Sequence, residues 1–304
     1  MKNTFRGGVH PQDHKDLSRD VPLRLFNPTG EMVYPLSQHI GRPAKPLVKK
    51  GDPVLVGQRI AEADGFVSAG STGATLAGGM FRLGRIPGVE RPALAPVINN
   101  GKGRFLLIDC GANVDCKPEY LVQFGVMGDA YMKGVWGVKN PRIGLANIGA
   151  EAEKGNALVK ETYPLMEKAP YNFVGNVEAR DIPLDGADVI VTDGFSGNLI
   201  LKYTEGLAKA LLGVIKQALL SDTRGKIAGL LAKPSFKQVK KTLDPDEVGG
   251  APLLGVQGAV VKAHGSSNDY AFCNAITQCV KMIEGHVVQI IEEGVRKIAE
   301  AREA

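Results

Sequence analysis

The chain has 304 residues, 44% of them apolar and 23% charged, with a formal net charge of +5. That balance belongs to a globular protein with material for one large core or two ordinary ones. The mild positive surplus fits acidic partners or anionic ligands, and the lack of a dense Lys/Arg block argues against nucleic acid. Cys110, Cys116, Cys273 and Cys279 show no C-x-x-C spacing, which points to reduced thiols rather than a disulfide framework or a zinc site.

Residues 1–64 are rich in Pro and His and punctuated by turn signals such as Asn27-Pro28 and Lys50-Gly51-Asp52-Pro53. The run from Pro46 to Glu62 reads as two short strands joined by a Gly-Asp turn, a unit too small to bury a core alone. His10 and His14 stand four apart beside Asp13, but Pro11 and the turn-rich context argue against a helix, so exposed loop histidines are expected rather than a metal site. The opening residues lack an apolar signal core and no apolar stretch spans a bilayer, so a soluble, cytoplasmic protein is expected.

From about Gly65 the pattern becomes α/β. Strands are predicted at Phe105–Asp109, Arg142–Asn147, Val189–Thr192 and Ala259–Lys262. Helices are predicted at Ala74–Leu83, Pro118–Met132, Asn156–Met166, Leu199–Leu220 and Asp269–Ala301, with Pro118 suited to a first helical turn. In the fourth helix Ile200, Leu207, Leu211, Val214 and Ala218 make an apolar face fit to cover a sheet. The alternation predicts a mostly parallel, doubly wound αβα sheet.

Four apolar runs end in loops of glycine and small polar residues: Ser68–Gly73, Asp109–Asn113, Asp193–Asn198 and Lys262–Ser267. Helix starts present unpaired N–H groups, and glycine lets backbone approach a ligand. On a parallel sheet all four loops gather at one edge, where open α/β folds bind ligands. The expected ligand is phosphate or another small anion.

Long blocks in residues 66–293 resemble the soluble phosphate:acyl-[acyl carrier protein] acyltransferases of bacterial phospholipid synthesis. They include Phe66-Val-Ser-Ala-Gly-Ser-Thr-Gly-Ala74, Arg91–Pro96, Asp109-Cys-Gly-Ala-Asn-Val-Asp-Cys-Lys-Pro-Glu119, Leu121–Phe124, Gly175–Asp181, Asp193-Gly-Phe-Ser-Gly-Asn198, Gly249–Gly255 and Lys262-Ala-His-Gly-Ser-Ser267. Residues 4–69 instead resemble the N-terminal segment of the C subunit of Rnf-type electron-transport complexes, through Phe5–His10, Pro35–Gly41 and Gly57–Ser68. Two domains are therefore expected: a partial β-rich segment at 1–65, and at 66–304 an acyltransferase domain lacking the α/β units that open that family. The resemblance implies a phosphotransacetylase/isocitrate-dehydrogenase-like fold with a protruding helical hairpin, a homodimer, and no cofactor or metal.

The reaction implied is transfer of a fatty acyl group from acyl carrier protein to inorganic phosphate. Phosphate is itself a nucleophile, so the site must hold a dianion near the thioester and stabilise a tetrahedral oxyanion. Ser68, Ser71, Thr72 and Gly73 form the first candidate cradle, against a simple helix cap. Asp193, Gly194, Gly197 and Asn198 form a second wall, where Asp193 either orients Lys262 or Asn198 or satisfies loop N–H groups. In the third wall are Lys262, the candidate for charge stabilisation, His264, either catalytic or structural, and Ser266 and Ser267. Asp109, Asn113 and Asp115 are expected on the pocket floor. Arg180 either forks onto phosphate or pairs with Glu178 or Asp181.

Apolar Ile227, Leu230, Leu231 and Phe236 interleave with Lys226, Lys233 and Lys237. Residues 220–243 are thus expected to touch an anionic membrane surface peripherally, or to form a dimer interface with a basic rim. The same lysines suit the acidic carrier protein. Alternatives to catalysis are an inactive fusion, or an interaction module that joins an Rnf-type complex.

Overall fold

The computed structural model describes residues 45–49, 61–62 and 64–303. The chain forms two compact units, Met1–Asp64 and Gly65–Ala304. In the first, β1 (Lys45–Pro46) pairs antiparallel with β2 (Ala61–Glu62), Lys45 opposite Glu62. The expected Gly51-Asp52 turn and the His10, Asp13 and His14 group lie outside the described residues.

The second unit opens with β3 (Gly65–Ser68) and α1 (Thr72–Gly78), which runs on into a π-helical turn, Gly79–Leu83. Next come β4 (Ala93–Leu94), β5 (Val97–Asn99), β6 (Arg104–Ile108), α2 (Pro118–Trp136), β7 (Arg142–Asn147), α3 (Ala157–Met166), β8 (Asn172–Glu178) and β9 (Val189–Val191). The chain closes with α4 (Gly194–Leu220), α5 (Thr223–Thr242), β10 (Gly250–Leu254), β11 (Ala259–Ala263), α6 (Asp269–Glu284) and α7 (Val287–Glu303).

The strands make two sheets. The larger has the order β5-β6-β9-β7-β8 and is parallel except at its edge strand β5. This is the mostly parallel α/β layer that the strand–helix alternation predicts. The smaller, of order β3-β11-β10-β4, pairs β3 with β11 in parallel, and β10 runs antiparallel to both its neighbours. No strand was expected at β10, because Gly250 and Pro252 weaken any strand pattern.

Side chains on β6 and β9 alternate between two cores, as a pleat requires. Leu106, Ile108, Val189 and Val191 face the main core, where α2 packs, while Phe105, Leu107 and Ile190 face the other side. Helix α2 lies between the five-stranded sheet and α3, α6 and α7, and thirteen of its nineteen residues are buried. Helix α6 covers the four-stranded sheet.

Two helix predictions are corrected. The stretch Asp269–Ala301 is not one helix: it breaks between α6 and α7 at Gly285 and His286, with His286 left-handed at φ 51°. The break lies where the chain passes Gly134 of α2, and a β-carbon at Gly134 would stand 2.7 Å from the Gly285 carbonyl oxygen. The apolar face of α4 does not cover a sheet beyond its start. Ile200 and Leu201 pack on the second core, but Leu207, Leu211 and Val214 are more than half exposed. Helix α4 instead runs on to pair with α5, which buries no residue at all. The two form a helical hairpin.

Candidate active site

The four glycine loops do not share one sheet edge. Those after β6 and β9 leave adjacent parallel strands of the larger sheet, and those after β3 and β11 leave adjacent parallel strands of the smaller one. Residues 93–99 join the two layers. Leu94 pairs with Leu253 in the smaller sheet, while Val97 pairs with Leu106 in the larger. Three of the four loops reach one small cleft: Thr72 and Thr75 come from α1, Ala112 from the β6–α2 loop and Lys262 from β11. Leu76, Leu94 and Leu253 complete its lining.

Asp109 holds the junction together. It is fully buried, and its Oδ1 accepts N–H groups from Leu94 at 2.9 Å and Ala112 at 3.2 Å. Its Oδ2 accepts the Asn113 N–H at 2.6 Å and the Asn113 side-chain amide at 3.0 Å. Burial pushes the carboxyl above its ordinary value of 3.8, and these four donors pull the other way. The same Asn113 amide also donates to the Pro92 carbonyl at 2.8 Å. Asp109 and Asn113 thus brace the loop from behind, and it is Ala112 that faces the cleft. Asp115 is exposed.

The Asp193 loop is the opening of α4 itself, five residues earlier than the apolar periodicity placed it. Asp193 is the N-cap: its carboxylate accepts the Ser196 N–H at 2.8 Å and the Ser196 hydroxyl at 2.9 Å. The bonds satisfy loop donors, and the carboxylate is not hydrogen-bonded to Lys262 or Asn198. Gly194 donates its N–H to the Asn113 carbonyl at 2.7 Å. A β-carbon on Gly194 would lie 2.8 Å from Asp109 Oδ2, so only glycine fits this contact unshifted. Asn198 is exposed and faces Gly111 across the same seam.

Ser68 accepts the Gly70 N–H at 3.1 Å, and Ser71 caps α1 by accepting the Ala74 N–H at 3.2 Å. Both hydroxyls therefore serve their own turn. Thr72 and Gly73 follow in the first helical turn, exposed, with open space around Gly73. Lys262 stands opposite Ser68 in the β3–β11 register. It is half-buried, its Nζ donates to the Ala263 carbonyl, and burial lowers its pKa from the ordinary 10.5.

His264, Ser266 and Ser267 form a turn past the cleft. Ser266 donates its N–H to His264 Nδ1 at 3.2 Å, with its hydroxyl 2.7 Å from the same nitrogen, and the Ser267 N–H reaches the His264 carbonyl at 3.0 Å. Arg180 is paired with Glu178 at 3.1 Å and Asp181 at 3.9 Å, with three quarters of its side chain exposed. It takes no part in the lining of the cleft. Thr75, Leu76, Leu94 and Leu253 were not foreseen there: Thr75 and Leu76 read in sequence as ordinary helix positions, and no strand was expected at Leu94 or Leu253. Among the described residues, no group of three or more His, Cys, Asp or Glu is disposed to hold a metal ion, and no helix is long and apolar enough to cross a membrane.

Comparison with known proteins matches the model of the RnfC barrel sandwich hybrid domain to residues 3–90, and that of the fatty acid synthesis protein family to residues 53–290. The two share residues 53–90, a wider overlap than the Ala63–Ala69 stretch that the motifs of both families have in common. A phosphate acyltransferase of Alkaliphilus oremlandii is 49% identical over 271 residues, covering 87% of this chain and 81% of that protein. One of Clostridium novyi is 51% identical over 236 residues, covering 78% and 71%. A solved phosphotransacetylase from Streptococcus pyogenes is similar at 21% identity and a TM-score of 0.46, over 76% of this chain and 64% of that one. With most of its length matched by one family model and by relatives about half identical to it, the chain belongs to the fatty acid synthesis protein family, alongside the phosphate acyltransferases.

Proposed function

We propose that this chain transfers a fatty acyl group from the thioester of acyl carrier protein to inorganic phosphate, releasing acyl phosphate for phospholipid synthesis. The observation that carries the reading is the cleft shared by Lys262, Thr72 and Ala112, where the ends of both sheets meet. A phosphate oxygen attacks the thioester carbonyl carbon, the carbonyl electrons move onto oxygen, and the intermediate collapses by breaking the C–S bond. The carrier leaves as a thiolate and takes up a proton from water. Lys262 supplies positive charge to the phosphate or the oxyanion, and in a half-buried setting that charge is worth more than in water.

In this reading Thr72, Gly73, Ser266, Ser267 and Asn198 are phosphate-side residues, while Ser68, Ser71, Asp109, Asn113, Asp193, Gly194 and Gly197 hold the loops in place. His264, exposed in the turn that follows Lys262, acts on the same side of the reaction. Residues 66–304 form the acyltransferase domain, working as a cytoplasmic homodimer. The hairpin α4–α5, through about residues 220–243, touches the membrane surface peripherally with exposed Ile227, Leu230 and Leu231 among its lysines.

The test is phosphate-dependent release of free carrier thiol from a long-chain acyl carrier protein, with Lys262→Ala beside the parent. Turnover that falls at least a hundredfold in the variant supports the site. A folded parent with no phosphate-dependent turnover would sink the catalytic reading. A second reading draws on the similarity of residues 3–90 to the RnfC domain: the N-terminal segment recruits the chain to an electron-transport complex. Co-purification with membrane partners that survives deletion of residues 1–64 would reject it.

A further inference from the structure

Helix α1 links two recesses. Its first turns contribute Thr72, Thr75 and Leu76 to the Lys262 cleft, and the π-turn that continues it contributes Met80 and Phe81 to a separate groove of about 510 Å³. The other walls of the groove are Arg85, Glu90, Arg91 and Tyr120. Phe81 is 82% exposed although it is a large aromatic. The Arg91 guanidinium stacks over the Tyr120 ring at 5.9 Å, and among the described residues it has no carboxylate partner. Arg85 is held by the Glu90 carbonyl at 2.5 Å, and Arg82, also exposed, adjoins Phe81 in the chain.

Arg, Met, Phe and Tyr are the residues enriched where proteins dock, whereas Lys, Asp and Glu are depleted there. The groove is made almost wholly of the enriched set. Two guanidinium groups, Arg85 and Arg91, line the groove with the single carboxylate of Glu90, and exposed Arg82 next to Phe81 in the chain adds positive charge nearby, so the complementary surface is acidic with an apolar anchor. A membrane would be met more readily by flexible lysines on an extended helix face, which this chain carries elsewhere, on α5. Thr72 and Phe81 are nine residues apart on one helical run, a separation of about 13 Å.

We infer that this groove is the docking surface for an acidic, amphipathic face of the acyl-bearing carrier protein, an inference that rests on the acyl-transfer reading. Phe81, Met80 and Tyr120 take the apolar anchor, Arg82, Arg85 and Arg91 meet carboxylates, and α1 leads from the docked carrier to the Lys262 cleft.

Binding and turnover are measured separately on the full chain. Isotope-labelled acyl carrier protein is titrated with the parent, with Arg82→Glu/Arg91→Glu and with Arg91→Lys, each checked by circular dichroism. Arg85 is left intact because it holds the Glu90 carbonyl. The double reversal is expected to weaken carrier binding by about tenfold or more, and more so at low salt, while Arg91→Lys keeps most of it. The KM for phosphate stays unchanged. Carrier affinity that does not change in the double reversal overturns the docking surface, as does a parent with no carrier affinity. Lost binding to vesicles of anionic phospholipid with carrier affinity intact also overturns it and assigns the groove to lipid. A parent that binds carrier through these arginines but transfers no acyl group to phosphate refutes the acyl-transfer reading and leaves the docking surface standing.

Discussion

Gly197 lies directly against the backbone carbonyl of Asp109, so close that a β-carbon at 197 would overlap the oxygen. The contact seats the first turn of α4 on the loop that carries Ala112 to the cleft. Gly197→Ala must push the two apart, at a cost of about 1–3 kcal/mol typical of overpacking. Thermal unfolding should show a clearly lowered Tm, and turnover should fall with it. An alanine variant with the parent's Tm would mean the seam yields more easily than the geometry implies.

Asp109→Asn puts an amide where four donors converge. Whichever way the amide turns, one of its sides offers N–H groups to other N–H groups, so at least one buried donor loses its acceptor. The expected loss is about 1–3 kcal/mol in urea unfolding. The pH dependence has a definite sign. The folded carboxyl binds its proton more tightly than the unfolded one, so the parent loses stability as pH rises from 3.8 through the raised folded value. That part of the slope should vanish in the variant.

Lys262 titrates the opposite way. Burial lowers its pKa below 10.5, so the folded chain sheds this proton before the unfolded chain does, and its charge disappears at a lower pH than that of an exposed lysine. Phosphate affinity should therefore drop with rising pH at a midpoint below 10.5. Lys262→Arg, which stays charged, should shift or abolish that midpoint. A parent profile flat up to pH 10.5 would remove Lys262 from the anion site.

Cysteine labelling gives a test of packing that needs no activity. Burial pushes the Cys116 thiol up to about 12 and that of Cys279 up to about 11, and raises Cys110 well above the ordinary range. Cys273 is exposed. With iodoacetamide at pH 8, mass spectrometry should find Cys273 modified first, half-buried Cys116 more slowly, and Cys110 and Cys279 only after denaturation. Early labelling of Cys110, which is buried within it, would show that the Asp109–Asn113 loop opens freely.

Leu230 and Leu231 are 72% and 78% exposed on α5. Replacing both with Asp should leave the unfolding free energy within about 0.5 kcal/mol of the parent's, as expected for exposed positions. Flotation with anionic vesicles should be lost. Flotation that the variant retains, or that the parent lacks, would count against the proposed membrane contact of α5.

Strong local patterns carried much of this fold in plain sight. Arg142–Asn147 is a strand end to end, and the helix predicted over Asn156–Met166 is present, with Asn156 as its N-cap. The opening of α4 was hidden because Gly194 and Gly197 are poor helix formers, tolerated here since only they clear Asp109. The α6–α7 break was hidden for a related reason: Gly285 sits within a periodic apolar run, and only the neighbouring Gly134 on α2 explains it. At the site, Lys262 was visible as a lone cation after an apolar strand. The bracing role of Asp109 was not, because its four donors come from Leu94, Ala112 and Asn113, and a sequence does not say that Leu94 lies beside Asp109.

The path of residues 93–99 through both sheets has a further consequence. Leu94 donates to Asp109, its carbonyl receives the Cys110 N–H at 2.8 Å, and Ala95 donates to the Pro252 carbonyl at 3.0 Å. Neither layer can slide or lift away without breaking these bonds, so the two sheets are expected to melt together. The amide protons of Leu94, Ala95 and Cys110 should then exchange with deuterium only through global opening, at the slowest rates in the molecule. A chemical site built on such a seam holds its shape for as long as the protein stays folded.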